Sequence, residues 1–175
     1  MGNFYSIGDR PLRVAVPGYS ELYIAEIDTT YYIAQNGYRN IGIISSEEGF
    51  EKSIPFWFLY VDPQFSATSG GWSILFRFQE RVGGQVVAEY DVAGASMQLA
   101  ASFIIQCNEV AVTPQQYQPS DKVRFVEALK SVVVRSRYEG ETLRKQVLVA
   151  RIDNQTDKGG DFRCQYKLGI VRTRS

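Results

Sequence analysis

Cys107, Cys164, the acids Glu47, Glu48 and Glu51, and the series Asp153, Asp157 and Asp161 are the side chains with which this sequence could do chemistry. Histidine is absent altogether. That removes the commonest general base, the commonest metal ligand and the usual pH switch. The cysteines stand 57 positions apart, so no zinc site of ordinary ligand spacing can be written. Two thiols also make no disulfide framework, and both fall on apolar strand faces, where they read as packed thiols in a reducing interior. One bridge between them stays open at this point.

The carboxylates fare no better. A glycosidase sets two carboxyl groups at a fixed separation across a cleft, which neighbours in one polar loop rarely achieve. A calcium loop wants oxygen ligands at alternate positions with a glycine at the turn, whereas Asp153, Asp157 and Asp161 recur every four residues. No G-x-x-x-x-G-K-[ST], strand-anchored G-x-G-x-x-G or G-x-S-x-G occurs, so phosphate cradles and the nucleophile elbow are missing. Gly70-Gly71, Gly83-Gly84 and Gly159-Gly160 read as β-turns. The expectation is a non-enzymatic protein with no catalytic residues, no metal and no cofactor.

The elements that would position any site are mostly strands. With 175 residues and 45% apolar content, the chain suits a single β-rich domain over residues 1–175, and no apolar run is long enough to span a membrane. Leu12-Val14-Val16 and Leu22-Ile24 alternate with polar neighbours. Tyr31–Gln35 and Tyr38–Ile44 flank Asn36-Gly37, predicting a hairpin through a type I′ turn. Residues 45–53 form a polar interruption. Ile54–Val61 is apolar on both faces, predicting a central strand covered on two sides. Residues 66–71 form a turn, and Val82-Gly83-Gly84 joins a second hairpin. Residues 97–107 alternate as one long half-buried strand, with a helix as the competing reading.

One helix is expected near residues 120–133, with Ser120 as N-cap, a buried stripe of Val123, Val126, Leu129 and Val133, and Val132–Val134 ending it or opening a strand. Thr142–Ile152 and Phe162–Val171 then read as a hairpin around residues 153–161, and Asn154-Gln155-Thr156 as an exposed loop. The sum is about nine or ten strands in an antiparallel β-sandwich or barrel, because short turns and not crossover helices join them.

Two features point to contact. The first is charge. The chain holds 19 basic and 19 acidic side chains. Residues 1–112 carry six basic and twelve acidic residues, hence −6, and residues 113–175 carry thirteen and seven, hence +6. Strands that interdigitate would erase this asymmetry. If it survives folding, it favours head-to-tail docking of subunits, or nucleic acid bound through Arg124, Arg135, Arg137, Arg144, Lys145 and Lys167. The second is tyrosine, eleven in all, with Tyr19, Tyr23, Tyr31, Tyr32 and Tyr38 among the first forty residues. Alternation should bury only one of Tyr31 and Tyr32.

The candidate interface residues are therefore those five tyrosines with Arg135, Arg137, Arg144, Arg151 and Arg163. The expected function is a structural subunit that self-associates or docks on other protein subunits in a larger complex, with a capsid, spike, tail or decoration component of a viral or phage particle as the leading case. A nucleic-acid-binding module and a calycin-like barrel holding a small apolar ligand are the alternatives. Residues 1–6 show no secretory signal, which suits a cytoplasmic or virion-associated protein. They fit the N-myristoylation pattern at Gly2 and Ser6, but no basic cluster follows to supply a second membrane signal.

Overall fold

A computed structural model describes residues 12–13, 20–100, 102–107 and 119–174. Wherever apolar and polar residues alternate, the chain runs as strand: β1 (Leu12–Arg13), β2 (Ser20–Ile33), β3 (Tyr38–Ser45), β4 (Phe50–Pro63), β5 (Trp72–Val82), β6 (Gln85–Leu99), β7 (Phe103–Cys107), β8 (Val133–Arg135), β9 (Arg137–Glu139), β10 (Thr142–Asn154) and β11 (Gly160–Arg174). One helix, α1 (Pro119–Lys130), precedes β8. The first sheet runs β1-β2-β11-β4-β7 with β8 on β4, and the second runs β3-β10-β5-β6 with β9 on β10. Every pairing is antiparallel, and the two sheets form a sandwich. The expected fold class holds.

The Asn36-Gly37 reversal is present but is not a hairpin. Gly37 N–H donates to Ala34 O at 2.9 Å and Asn36 sits at φ 58°, yet β2 pairs with β11 and β3 with β10. The chain arches from one sheet to the other. Residues 155–159 arch the same way, since β10 and β11 lie in opposite sheets. Both arches have one cause. Each flanking strand carries an apolar face, and an arch turns the two faces toward each other across the core, whereas a hairpin would leave them side by side. Gly83-Gly84, at φ 59° and 82°, closes a true two-residue hairpin between β5 and β6, and Gly140-Glu141, with Gly140 at φ 65°, closes another between β9 and β10.

Further boundaries differ from the sequence reading. The long strand over 97–107 is interrupted after Leu99, and the chain re-enters strand at Phe103 in the other sheet. β4 is interior as expected, but among the described residues it is fully buried on one face only: Ile54, Trp57, Leu59 and Val61 are buried, while Phe56, Phe58 and Tyr60 are half-buried on the outer side. Pro55, which has no N–H to donate, sits where the β4–β11 register shifts. The helix ends at Lys130 and Val133 already belongs to β8. It begins at Pro119, which puts Ser120 inside the first turn and not at the N-cap. Its buried face is Phe125, Val126 and Leu129. The side chain of Val123, and residues 14–16, lie outside the description.

Between the sheets, edge-to-face rings fill the centre: Trp57 on Phe76 at 5.5 Å, Trp72 on Phe162 at 5.6 Å, Phe65 on Phe162 at 5.4 Å and Phe76 on Phe125 at 5.9 Å. A ligand-holding barrel interior would need the space these rings occupy. Cys107 lies opposite Trp57 and Cys164 opposite Val61, on the two strands flanking β4. Two strand spacings and four residues separate them by roughly 16 Å, far beyond disulfide reach. Cys164 is a free, buried thiol.

Candidate functional site

Because β10 and β11 each sit inside a sheet, the basic end of the chain is flanked on both sides by strands from the acidic end. Arg163 on β11 therefore reaches Asp28 on β2 with both prongs, Nε to Oδ1 at 3.0 Å and Nη2 to Oδ2 at 2.7 Å. Arg172 donates to Glu47 at 2.8 Å and to Glu21 at 2.6 Å. Arg135 pairs with Glu51 at 3.5 Å and Arg137 with Glu80 at 3.2 Å. Arg144 faces Glu139 at 3.4 Å, and Arg151 holds Asp153 at 3.1 Å while stacking over Tyr38 at 3.9 Å. The pairs of Arg135, Arg137, Arg163 and Arg172 join the basic part of the chain to the acidic part and offset some of the asymmetry read along the sequence.

The candidate residues thus separate. All five arginines proposed for an interface are already ion-paired within the chain. Tyr19 lies outside the described residues. Tyr23 and Tyr31 face inward against the core, Tyr31 beneath Arg39 at 4.5 Å. Tyr32 and Tyr38 face outward, as alternation required for the Tyr31-Tyr32 pair. Of the nucleic-acid candidates, Arg124 and Arg135 line one groove, whereas Lys145 and Lys167 project from opposite outer faces of the sandwich. They share no single surface.

That groove, about 560 Å³, runs between α1 and the irregular part of β6, with Phe78, Val92 and Ala128 in its floor and Arg124, Glu127 and Arg135 at its rim. Gly94, at φ 83°, lets β6 pass close to the Arg124 side chain.

The acids and thiol do structural work. Asp157 accepts the backbone N–H of Thr68 at 2.9 Å and its hydroxyl, and these bonds hold its carboxyl below the usual range. Burial pushes the Cys164 thiol up to about 12. Among the described residues no group of three His, Cys, Asp or Glu could hold a metal, and no helix is long and apolar enough to cross a membrane. Asn154 and Thr156 are not an exposed loop. The Asn154 amide donates to Ile33 O at 3.0 Å and Lys158 O at 2.8 Å, and its oxygen accepts from Thr156.

Among the described residues, the large apolar side chains left exposed are Tyr32 63%, Tyr38 56%, Tyr138 57%, Val86 43%, Val87 48% and Tyr90 42%. Val86 and Val87 follow the Gly83-Gly84 tip at a register shift against Arg81. The sequence signal was available there, since two adjacent valines break the alternation of a half-buried strand. Tyr138 donates to Glu48 and Tyr90 accepts from Gln146 at 2.7 Å, so their rings are held in place.

No protein-family model matches the chain. No curated protein matches it either. Among solved structures, the chain is similar to one of the Gt strain of infectious bursal disease virus, at 12% identity and a TM-score of 0.42, covering 97% of this chain and 38% of that one. It is also similar to one of the VP2 subviral particle of the same virus, at 10% identity and a TM-score of 0.34, covering 89% of this chain and 37% of that one. The chain spans less than two fifths of the length of either.

Proposed function

We propose that this chain is a non-enzymatic structural subunit that works by contact with copies of itself or with other protein subunits, as part of a viral or phage particle. The observation that carries the reading is the surface left over after folding. Most arginines of the basic third are satisfied by acids of the same chain, while Tyr32, Tyr38, Tyr138, Val86, Val87 and Tyr90 stand exposed on a rigid two-sheet scaffold. Tyrosine offers large contact area with a polar tip and little rotamer entropy to lose, which suits protein interfaces. The particle setting is an analogy of architecture, because two packed antiparallel sheets recur in capsid domains, and a fold alone does not assign a function.

Light scattering and electron microscopy of the purified protein test this reading. Concentration-dependent growth into defined oligomers or particles is expected. A strict monomer at every concentration and salt condition, with no partner subunit, would remove the basis of the proposal.

A further inference from the structure

We infer that the sandwich pairs with a second copy of itself along the edge formed by β2 and β3, with β3 of each copy adding to β2 of the other. This inference rests on the assembly reading above and names its surface. Among the described residues, β3 has no strand on its outer side, and β2 has none beyond the two-residue contact of β1 with Glu21 and Leu22. Both edges carry rows of backbone N–H and C=O groups that a strand can complete.

β3 is the less guarded edge, with a single register shift against β10 between Leu148 and Val149. Its one charged residue, Arg39, turns toward the space between the sheets, over Tyr31. Its outer face is Tyr38, Asn40, Gly42 and Ser45, exposed and uncharged. Natural edges are usually protected by charge, proline or bulges. β6, the opposite edge of the same sheet, is protected in that way: Glu89 and Asp91 lie along it, and its register against β5 shifts twice.

Strand sense then chooses the partner. The arch at Asn36-Gly37 places β2 and β3 on the same side of the sandwich, running in opposite directions, one in each sheet. A two-fold axis parallel to the strands lays β3 beside β2 of the second copy in antiparallel sense and forms the reciprocal pair in the other sheet, a self-complementary interface. The alternative two-fold axis, perpendicular to the sheets, pairs β2 with β2 and β3 with β3; where it passes near Ile27 it sets Glu26 and Asp28 against their own copies, which like charges on adjacent strands disfavour. In the favoured arrangement both strands run from the same arch, so Gly42 comes to within a residue of Asp28 of the second copy, and Ser45 to within a residue of its Glu26. Tyr38 approaches the second copy's Tyr32.

Gly42 makes the test clean. A Cβ there meets nothing within 4 Å and the backbone is not left-handed, so the folded chain accepts a side chain. Sedimentation velocity on the full chain is compared for wild type, Gly42→Glu and Gly42→Lys. Glutamate, set beside Glu26 and the Arg163-paired Asp28 of the second copy, is expected to weaken association several-fold, and lysine to weaken it less or not at all. Equal weakening by both charges would overturn the β3-to-β2 pairing in favour of β3 on β3. Association untouched by either, and lost instead in Val86→Glu/Val87→Glu, overturns the edge and leaves the assembly reading standing. A wild-type chain that never associates sinks both.

Discussion

Cys164 sits between the sheets with its thiol held up to about 12 by burial, chiefly through desolvation of the thiolate. In the unfolded chain the same group ionises near ~8.5. The folded pKa is raised, so its contribution is fully present below the unfolded value and is lost as pH climbs from about 8.5 toward the folded one. Between pH 7.5 and 9.5 the wild type should lose about 1.4 kcal/mol of stability relative to Cys164→Ala, read as the change in their urea-unfolding difference. A difference that stays constant with pH would show that the thiolate is tolerated inside. The apolar setting of this cysteine was legible from the alternation Phe162, Cys164, Tyr166, Leu168. Asn154 was not legible. An Asn-x-Thr in a polar stretch looks like a loop tip, but its amide is buried because an arch exposes carbonyls of Ile33 and Lys158 that a paired hairpin would leave in other hands.

Period-two patterning was enough to reveal the strands, but the sheet each strand would join was not legible. Turn residues specify a local reversal of the chain, and that reversal serves a hairpin or an arch equally well. Gly83-Gly84 and Asn36-Gly37 look alike in sequence, yet only the first joins paired strands. The choice is made by the faces brought together at long range: Ile27, Tyr31 and Ile33 of β2 and Ile41 and Ile43 of β3 belong to one core between the sheets. The two turns should therefore respond differently to mutation. Gly83→Ala and Gly84→Ala each force an L-residue into left-handed backbone and should cost about 1 kcal/mol. Asn36→Gly, at φ 58°, relieves the same constraint and should change stability by less than ~0.5 kcal/mol. Thermal melts of the three variants check this, and a large loss at Asn36→Gly would mean that its side chain, and not its backbone, holds the arch.

At the scale of the molecule, the zero net charge conceals a bipolar sequence whose poles are woven together by the topology. β11 takes its neighbours β2 and β4 from the acidic part of the chain, and β10 takes β3 and β5. Nothing in the sequence could have settled this, because the charge asymmetry depends on which strands are adjacent in space. The pairs are mostly half-exposed and each contributes little to stability, so their main consequence lies in the field around the protein. Nucleic acid binding draws its strength from released counterions, and hence from basic groups free to face phosphates together. Here Arg135, Arg137, Arg144, Arg151 and Arg163 each have a carboxylate within 4 Å, and Lys145 and Lys167 point away from one another. The chain should accordingly pass single- and double-stranded DNA columns without retention at about 0.1 M salt, where the screening length is still near 10 Å. Retention that falls linearly with the logarithm of salt concentration, with a slope of several phosphates, would mean that nucleic acid outcompetes the internal carboxylates. Contact with phosphates would then have to replace contact between subunits as the account of this surface.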